Sequence, residues 1–342
     1  QGDTLTLDFE SELNLLKTCL FGQVSKKFLD DKLIGSFGLR TDQNSYSKEM
    51  SNPIDQLSPR FSLAYTLSNK ISLNFNVGKY FQLPAYTVMG YKDANGELIN
   101  NNNNLTYINN KHIVGGIEFN PEKYSKITIE SFYKKYDNYP FLLGDSISLA
   151  NLGGNFGVIG NEAVSSSSEG RSYGIEFLAQ RKLSKSFYGI LAYTWVRSEF
   201  KDKNNIYIPS AWDNGHIVSL TGGLKLKKDW EIGMKFRFAG GSPYTPYDYE
   251  TSSLKQVWDV NSFGVFDYDN LNSQRLKSNH GLDVRIDKKW FWKKVALNLY
   301  MDIQNLYNFQ AETQRSLIAD QDSNGNLSIN PNDPNRYNLK YI

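Results

Sequence analysis

Between residues 295 and 304 apolar and polar side chains take turns without a break. Val295, Leu297, Leu299, Met301 and Ile303 fall on one side, and Ala296, Asn298, Tyr300, Asp302 and Gln304 on the other. Successive side chains of a strand point to opposite faces, so the segment reads as a strand with one greasy and one polar face. The same pattern sets Trp230, Ile232, Met234, Phe236 and Phe238 against Glu231, Gly233, Lys235 and Arg237. It also sets Leu282, Val284 and Ile286 against Asp283, Arg285 and Asp287, and Ile71, Leu73, Phe75 and Val77 against Ser72, Asn74, Asn76 and Gly78.

Extended along the chain, the pattern predicts strands over Leu13–Lys27, Leu33–Asn44, Arg60–Leu67, Ile71–Phe81, His112–Phe119, Lys126–Tyr136, Arg171–Arg181, Ser186–Ser198, Asn214–Lys227, Trp230–Ala239, Lys277–Asp287 and Val295–Tyr307. Alternation alone is shared by a soluble sandwich and a membrane barrel; the connections separate them. Leu29–Lys32, Ser68–Lys70, Asn120–Ser125, Leu183–Lys185, Lys228–Asp229 and Lys288–Lys294 are short. Ser45–Pro59, Gln82–Lys111, Asp137–Gly170, Glu199–Asp213, Gly240–Leu276 and the stretch from Asn308 onward are long. Short and long links alternate throughout. An outer-membrane barrel has short periplasmic turns and long extracellular loops, whereas a sandwich places its turns irregularly on both edges. The predicted fold is all-β: an antiparallel transmembrane β-barrel.

Composition sharpens this picture. Mean hydropathy is -0.50 and no stretch supplies the roughly 20 apolar residues of a spanning helix, a demand that barrels escape because only alternate residues face lipid. The 22 Tyr and 20 Phe suit two interfacial girdles. Trp290, Phe291 and Trp292 sit in one short turn flanked by Lys288, Lys289, Lys293 and Lys294, as a membrane–water boundary favours. A net charge of +2 leaves no nucleic-acid footprint, and the single Cys19 excludes an internal disulfide. No 20–50-residue sequence repeat supports a propeller or solenoid. The start, Gln1-Gly2-Asp3, lacks a basic segment followed by an apolar run, so the leader is expected to have been cleaved or, the favoured reading, the chain to be internal to a longer one.

Several stretches carry a family resemblance: Val77-Gly78-Lys79-Tyr80-Phe81-Gln82-Leu83-Pro84-Ala85-Tyr86-Thr87, Ser146 to Gly154, Gly170-Arg171-Ser172-Tyr173-Gly174-Ile175-Glu176, Ser210-Ala211-Trp212-Asp213-Asn214-Gly215-His216, Gly240-Gly241-Ser242-Pro243-Tyr244-Thr245-Pro246-Tyr247, and Leu299 to Asn308. In order and spacing, from about the fourth strand to the last, the chain resembles the C-terminal barrel of TonB-dependent outer-membrane receptors, in particular those of Bacteroidetes type. The resemblance implies a barrel of about 22 strands around an N-terminal plug, of which about 12 strands are expected here. It implies uptake of a scarce nutrient, such as a siderophore, vitamin or glycan, driven by the TonB complex. Partners would be a small-molecule or oligosaccharide ligand, outer-membrane lipid, and TonB through an N-terminal region. Residues 1–342 are thus expected to be a partial barrel domain whose plug and last strand lie elsewhere. A passive porin shares every barrel feature and is the alternative; lumen-side Glu130, Lys134, Lys235, Arg237, Asp283, Arg285 and Asp287 would serve either.

Candidate sites follow from residue chemistry. Tyr86 and Tyr91 in one long loop, and Tyr244, Tyr247 and Tyr249 in another, offer flat faces and hydroxyls for a ligand, or pack as an external girdle. Asp320, Asp322 and Asn324 before Gly325 begin a calcium-loop pattern, though Pro331 stands where a Glu belongs and Asn-Gly is an ordinary hairpin turn. Asp93-Ala94-Asn95-Gly96 reads as a turn. No other cofactor is expected. His112, His216 and His280 are expected to be unrelated, and Ser219 lies on the opposite strand face from His216, so no catalytic triad and no enzyme is expected.

Overall fold

A computed structural model, describing residues 12–93, 95–152 and 162–342, gathers the alternating segments into one antiparallel sheet. Its main strands are β1 (Lys17–Phe28), β2 (Leu33–Asn44), β3 (Ser58–Ser68), β4 (Ile71–Gln82), β5 (Ile108–Phe119), β6 (Ser125–Leu142), β7 (Val164–Ser184), β8 (Phe187–Lys201), β9 (His216–Lys225), β10 (Trp230–Ala239), β11 (Asn279–Phe291) and β12 (Ala296–Ile303). Each pairs with the next in chain order. Short turns gather at one end and long loops at the other, so the predicted meander is the observed one. Ile147–Ser148 and Tyr207–Pro209 extend the sheet at its loop end.

Register keeps apolar residues in line. Leu73, Ile117, Ile129, Phe177, Tyr193, Val218 and Phe238 form one row, each paired with the next across β4 to β10. One residue along, Asn74, Gly116, Glu130, Glu176 and Thr194 form a row on the opposite face. A second sheet would bury the apolar rows. Instead Leu73, Ile232 and Leu297 are 40%, 39% and 50% exposed. An uncovered apolar face this wide is stable only against hydrocarbon. Among the described residues β1 and β12 do not pair, so the sheet is an open wall of a barrel.

The aromatics mark both boundaries. Tyr133, Tyr173 and Trp195 cluster toward the loop end, with ring centroids 6.4 and 6.1 Å apart. At the turn end, Lys288 Nζ lies 5.7 Å from the Trp230 ring and 5.2 Å from Trp290.

The boundaries expected from sequence need correction at several points. β6 runs on past Tyr136 to Leu142, and β7 begins at Val164 rather than Arg171. Register slips around Tyr139, and Pro140, Leu142 and Val164 are covered by loops. No lipid-facing alternation survives there to mark a strand. β1 starts at Lys17, because Leu13 and Leu15 pack on the loop core instead. β12 stops at Ile303, where Asn305 turns with φ 50° and bonds Phe309 through both side-chain atoms. Residues 308–342, expected as loop, carry two hairpins: Leu317–Ala319 with Leu339–Tyr341, and Ile329–Asn330 with Asp333–Tyr337. Ala94, and Gly153 and Gly154 of the quoted stretches, lie outside the described residues, as do Gln1 to Asp3.

Candidate ligand-facing loop surface

The long loops fold into two groups. In the first, Tyr46, Met50, Val88, Met89, Leu105, Tyr107, Leu142, Leu149 and Val164 share one core, which joins the loops after β2, β4 and β6. Buried Asn100 ties them together. Its amide donates to Val88 O (2.7 Å) and Glu162 O (3.1 Å), and its carbonyl accepts from Val164 N (2.7 Å). The Tyr46 hydroxyl donates to Met89 O at 2.7 Å, and burial pushes it up to about 12. Asn101 donates to Tyr46 O (2.7 Å) and Asn44 to the Tyr107 hydroxyl (2.9 Å).

In the second group, Trp258, Leu317, Ala319 and Leu339 join the loop after β10 to the terminal segment. Between them opens a cavity of about 440 Å³, lined among others by Tyr244, Tyr247, Arg275, Lys277, Glu312 and Arg315. Lys277 pairs with Glu312 at 3.4 Å, and Lys277 N donates to Glu312 Oε2 at 2.7 Å. That backbone bond, chiefly, holds the Glu312 carboxyl below its ordinary range. Arg275 is anchored: it donates to Asp213 O (2.5 Å), Gly241 O (3.0 Å) and Asp213 Oδ2 (3.2 Å). Asp213 is fully buried and also meets Arg197 at 3.4 Å. Arg315 makes no ion pair among the described residues. The cavity therefore presents three phenols, those of Tyr244, Tyr247 and Tyr341, and an excess of cationic groups to the outside.

The motif stretches now have physical causes. A Cβ on Gly241 would lie 2.6 Å from Leu276 C, and one on Gly240 would strike Asn214 O. Gly240 thus lets the loop after β10 pass close to Asn214, Gly241 lets the two ends of that loop meet at Leu276, and Arg275 ties the loop to Asp213. Gly170 and Gly174 similarly make room for the rings of Phe200 and Phe132 on the polar face.

The five tyrosines are not brought to one place. Tyr244 and Tyr247 line the cavity; Tyr247 also stacks on Phe266, with centroids 4.7 Å apart and planes at 14°. Tyr249 stands nearby, its hydroxyl donating to Leu339 O at 3.2 Å. Tyr86 belongs to the other loop group, 52% exposed, with its hydroxyl against the Lys17 ammonium. Tyr91 is half-buried and its carbonyl accepts from Ile99 N at 3.1 Å. Arg275, Glu312 and Arg315 went unnoticed in the sequence. Arg275 lies within a long loop and the other two in a tail that alternates nothing.

The calcium-loop oxygens have partners of their own. Asp320 pairs with Lys340 at 2.5 Å. Asp322 Oδ1 accepts from Asn324 N (2.8 Å) and Asn326 N (2.9 Å), which, with the Asn326 amide, lowers its carboxyl below the usual range. The histidines stay apart. The His112 ring lies 4.5 Å from Tyr80 on the polar face, whereas His216 meets the Tyr193 hydroxyl (2.9 Å) and His280 that of Tyr307 (2.7 Å) on the apolar side. Ser219 pairs with Arg237, on the face opposite His216.

A lipid-exposed meander with short turns below and packed, cavity-bearing loops above defines the wall of an outer-membrane β-barrel. The family model described as TonB dependent receptor-like, beta-barrel, matches residues 13–306, and the chain belongs to this family of transport receptors, which are not enzymes. No curated protein matches. Among solved structures, the pyoverdine outer membrane receptor FpvA from Pseudomonas aeruginosa PAO1 bound to pyoverdine is similar at 14% identity and a TM-score of 0.60, over 87% of this chain and 38% of that one. The ferric-catecholate import receptor Fiu from Escherichia coli K12 is similar at 11% identity and a TM-score of 0.57, over 95% and 43%. The ferric preacinetobactin receptor BauA from Acinetobacter baumannii is similar at 14% identity and a TM-score of 0.57, over 95% and 42%. The chain thus spans less than half of each of these structures. Its family places it in the outer membrane.

Proposed function

We propose that the chain is the barrel wall and loop surface of a receptor that imports a scarce nutrient through the outer membrane with TonB-linked energy. The observation that carries this reading is the cavity between Tyr244, Tyr247, Arg275, Lys277 and Arg315, set in the loops above a lipid-facing wall. Its phenols can stack on or hydrogen-bond a flat chelating group, and its cationic excess suits an anionic ligand. A ferric siderophore combines both properties, and the three neighbours named above are, by their titles, receptors for pyoverdine, a ferric catecholate and ferric preacinetobactin. An oligosaccharide uses the aromatic faces but not the charge. In this reading the plug, the TonB contact and the remaining strands lie in parts of the protein beyond residues 1–342. The Bacteroidetes type rests on the stretches from Val77 to Thr87 and from Gly240 to Tyr247.

The test is ligand binding by the full-length receptor across ferric hydroxamate and catecholate chelates, cobalamin and oligosaccharides. Tyr244→Ala with Tyr247→Ala should weaken the bound class at least tenfold, about 1.4 kcal/mol, while the barrel still assembles. Unchanged affinity in both single variants and the double variant would remove this cavity from the site.

A further inference from the structure

The apolar face is not uniformly convex. Across β8 and β9, Gly189 and Gly222, in the row that begins with Arg181 on β7, put hydrogen atoms where bulky side chains would stand, and Ala179 adds a small neighbour in the next row. Gly222 is buried beneath the surface that larger residues define around it. Ile127, Leu191 and Leu220 rise on the loop side of this depression, and Phe187, Leu224 and Ile232 on the turn side. The result is a groove of about 710 Å³ with an almost wholly apolar lining, cut into the face that meets hydrocarbon.

The groove reaches the short turns at Pro121 and Ser125, where the charge is one-sided. Arg181 stands in its lining and makes only a long contact with Glu122, 3.6 Å away. Around it, Lys123, Lys185, Lys227 and Lys228 are exposed, and none makes an ion pair among the described residues. Opposing acids in these turns are Glu122 and Asp229. Fixed cations at headgroup height attract anionic lipid, each contributing on the order of 1 kcal/mol near the surface. An apolar slot beside them takes an acyl chain by simple burial. We infer that this groove is a docking site for one anionic phospholipid of the periplasmic leaflet, with an acyl chain lying over Ala179, Gly189 and Gly222 and its phosphate against Arg181 and the turn lysines. The inference goes beyond ligand uptake and stands whether or not the loop cavity binds a siderophore.

The experiment is native mass spectrometry of the full-length receptor in mild detergent, offered phosphatidylglycerol, phosphatidylethanolamine, or glycerol phosphate without acyl chains. The receptor should retain phosphatidylglycerol about tenfold better than phosphatidylethanolamine, and glycerol phosphate should not compete. Ala179→Phe, which fills the slot, should reduce retention of both lipids. Arg181→Gln combined with Lys123→Gln and Lys185→Gln should abolish only the preference for the anionic one. Equal retention of the two lipids by the unaltered receptor, or competition by glycerol phosphate, would overturn the assignment. So would a preference that survives the charge substitutions. Heat-modifiable gel mobility reports that each variant is folded; if Ala179→Phe fails it, the charge variants decide alone.

Discussion

Gly170 and Phe200 face each other on the polar side of β7 and β8, and the Phe200 ring fills the volume that a Cβ on Gly170 would need. The Phe200 ring is 1% exposed and has nowhere to retreat. Tyr139 and Tyr136 lie 4.8 and 5.4 Å from it between centroids, and Trp212 meets it edge-on at 6.5 Å. Gly170→Ala should therefore destabilise the receptor by roughly 1–3 kcal/mol, the usual range for overpacking. Adding Phe200→Leu should restore part of the loss. Denaturant midpoints in detergent read both changes, and a Gly170→Ala midpoint equal to that of the parent would refute the packing account.

Asp213 is the anchor between two loops. It is fully buried, accepts from Arg275 and Arg197, and fixes the loop where Gly240 passes Asn214. Breaking a buried pair by removing one partner costs on the order of 3 kcal/mol. Asp213→Ala should release the loop between β10 and β11, so that trypsin cuts at Lys255 or Arg275 about a hundredfold faster, while strand content stays constant. Equal cutting rates would mean that the loop is held by something else.

Alkaline pH should open the first loop group before the barrel. Tyr46 is buried among Met50, Val88 and Met89, and its hydroxyl is pushed up to about 12 from an ordinary value of 10.0 by burial. The fold thus favours the neutral phenol. Its contribution is complete below pH 10 and is lost as pH rises through about 12. Tyr46→Phe keeps the ring but removes the ionisation and the bond to Met89 O. Loop protection measured by hydrogen exchange should fall over that interval in the parent and stay flatter in Tyr46→Phe. The same fall in both would place the transition elsewhere.

The strands were legible because lipid on one side and water on the other write a two-residue period into them, as in Trp230 to Phe238. The turns were legible as short polar links. Their backbone was not: Lys228 and Asp229 both take positive φ, 59° and 57°, without the Asn or Gly that primed hairpin turns favour. Loop packing left the least trace, because its bonds join residues far apart. Asn272 donates to Asn151 O at 2.8 Å across 121 positions, and Asn100 reaches Glu162 across 62. No local pattern encodes such pairs. The tyrosines of the loops were visible as residue types, but Arg275 and Arg315 joined Tyr244 and Tyr247 only once the loop after β10 had met the terminal segment.

The apolar face of this sheet meets hydrocarbon while the polar face looks into a wet interior. Spin labels placed one at a time along β10, from residue 231 to residue 238 in a Cys19→Ser background of the full-length receptor in vesicles, test it directly. Labels at Ile232, Met234, Phe236 and Phe238 should collide more with oxygen than with a water-soluble nickel chelate, and those at Glu231, Gly233, Lys235 and Arg237 should show the reverse. The reverse phase, or water exposure at all eight positions, would contradict the account.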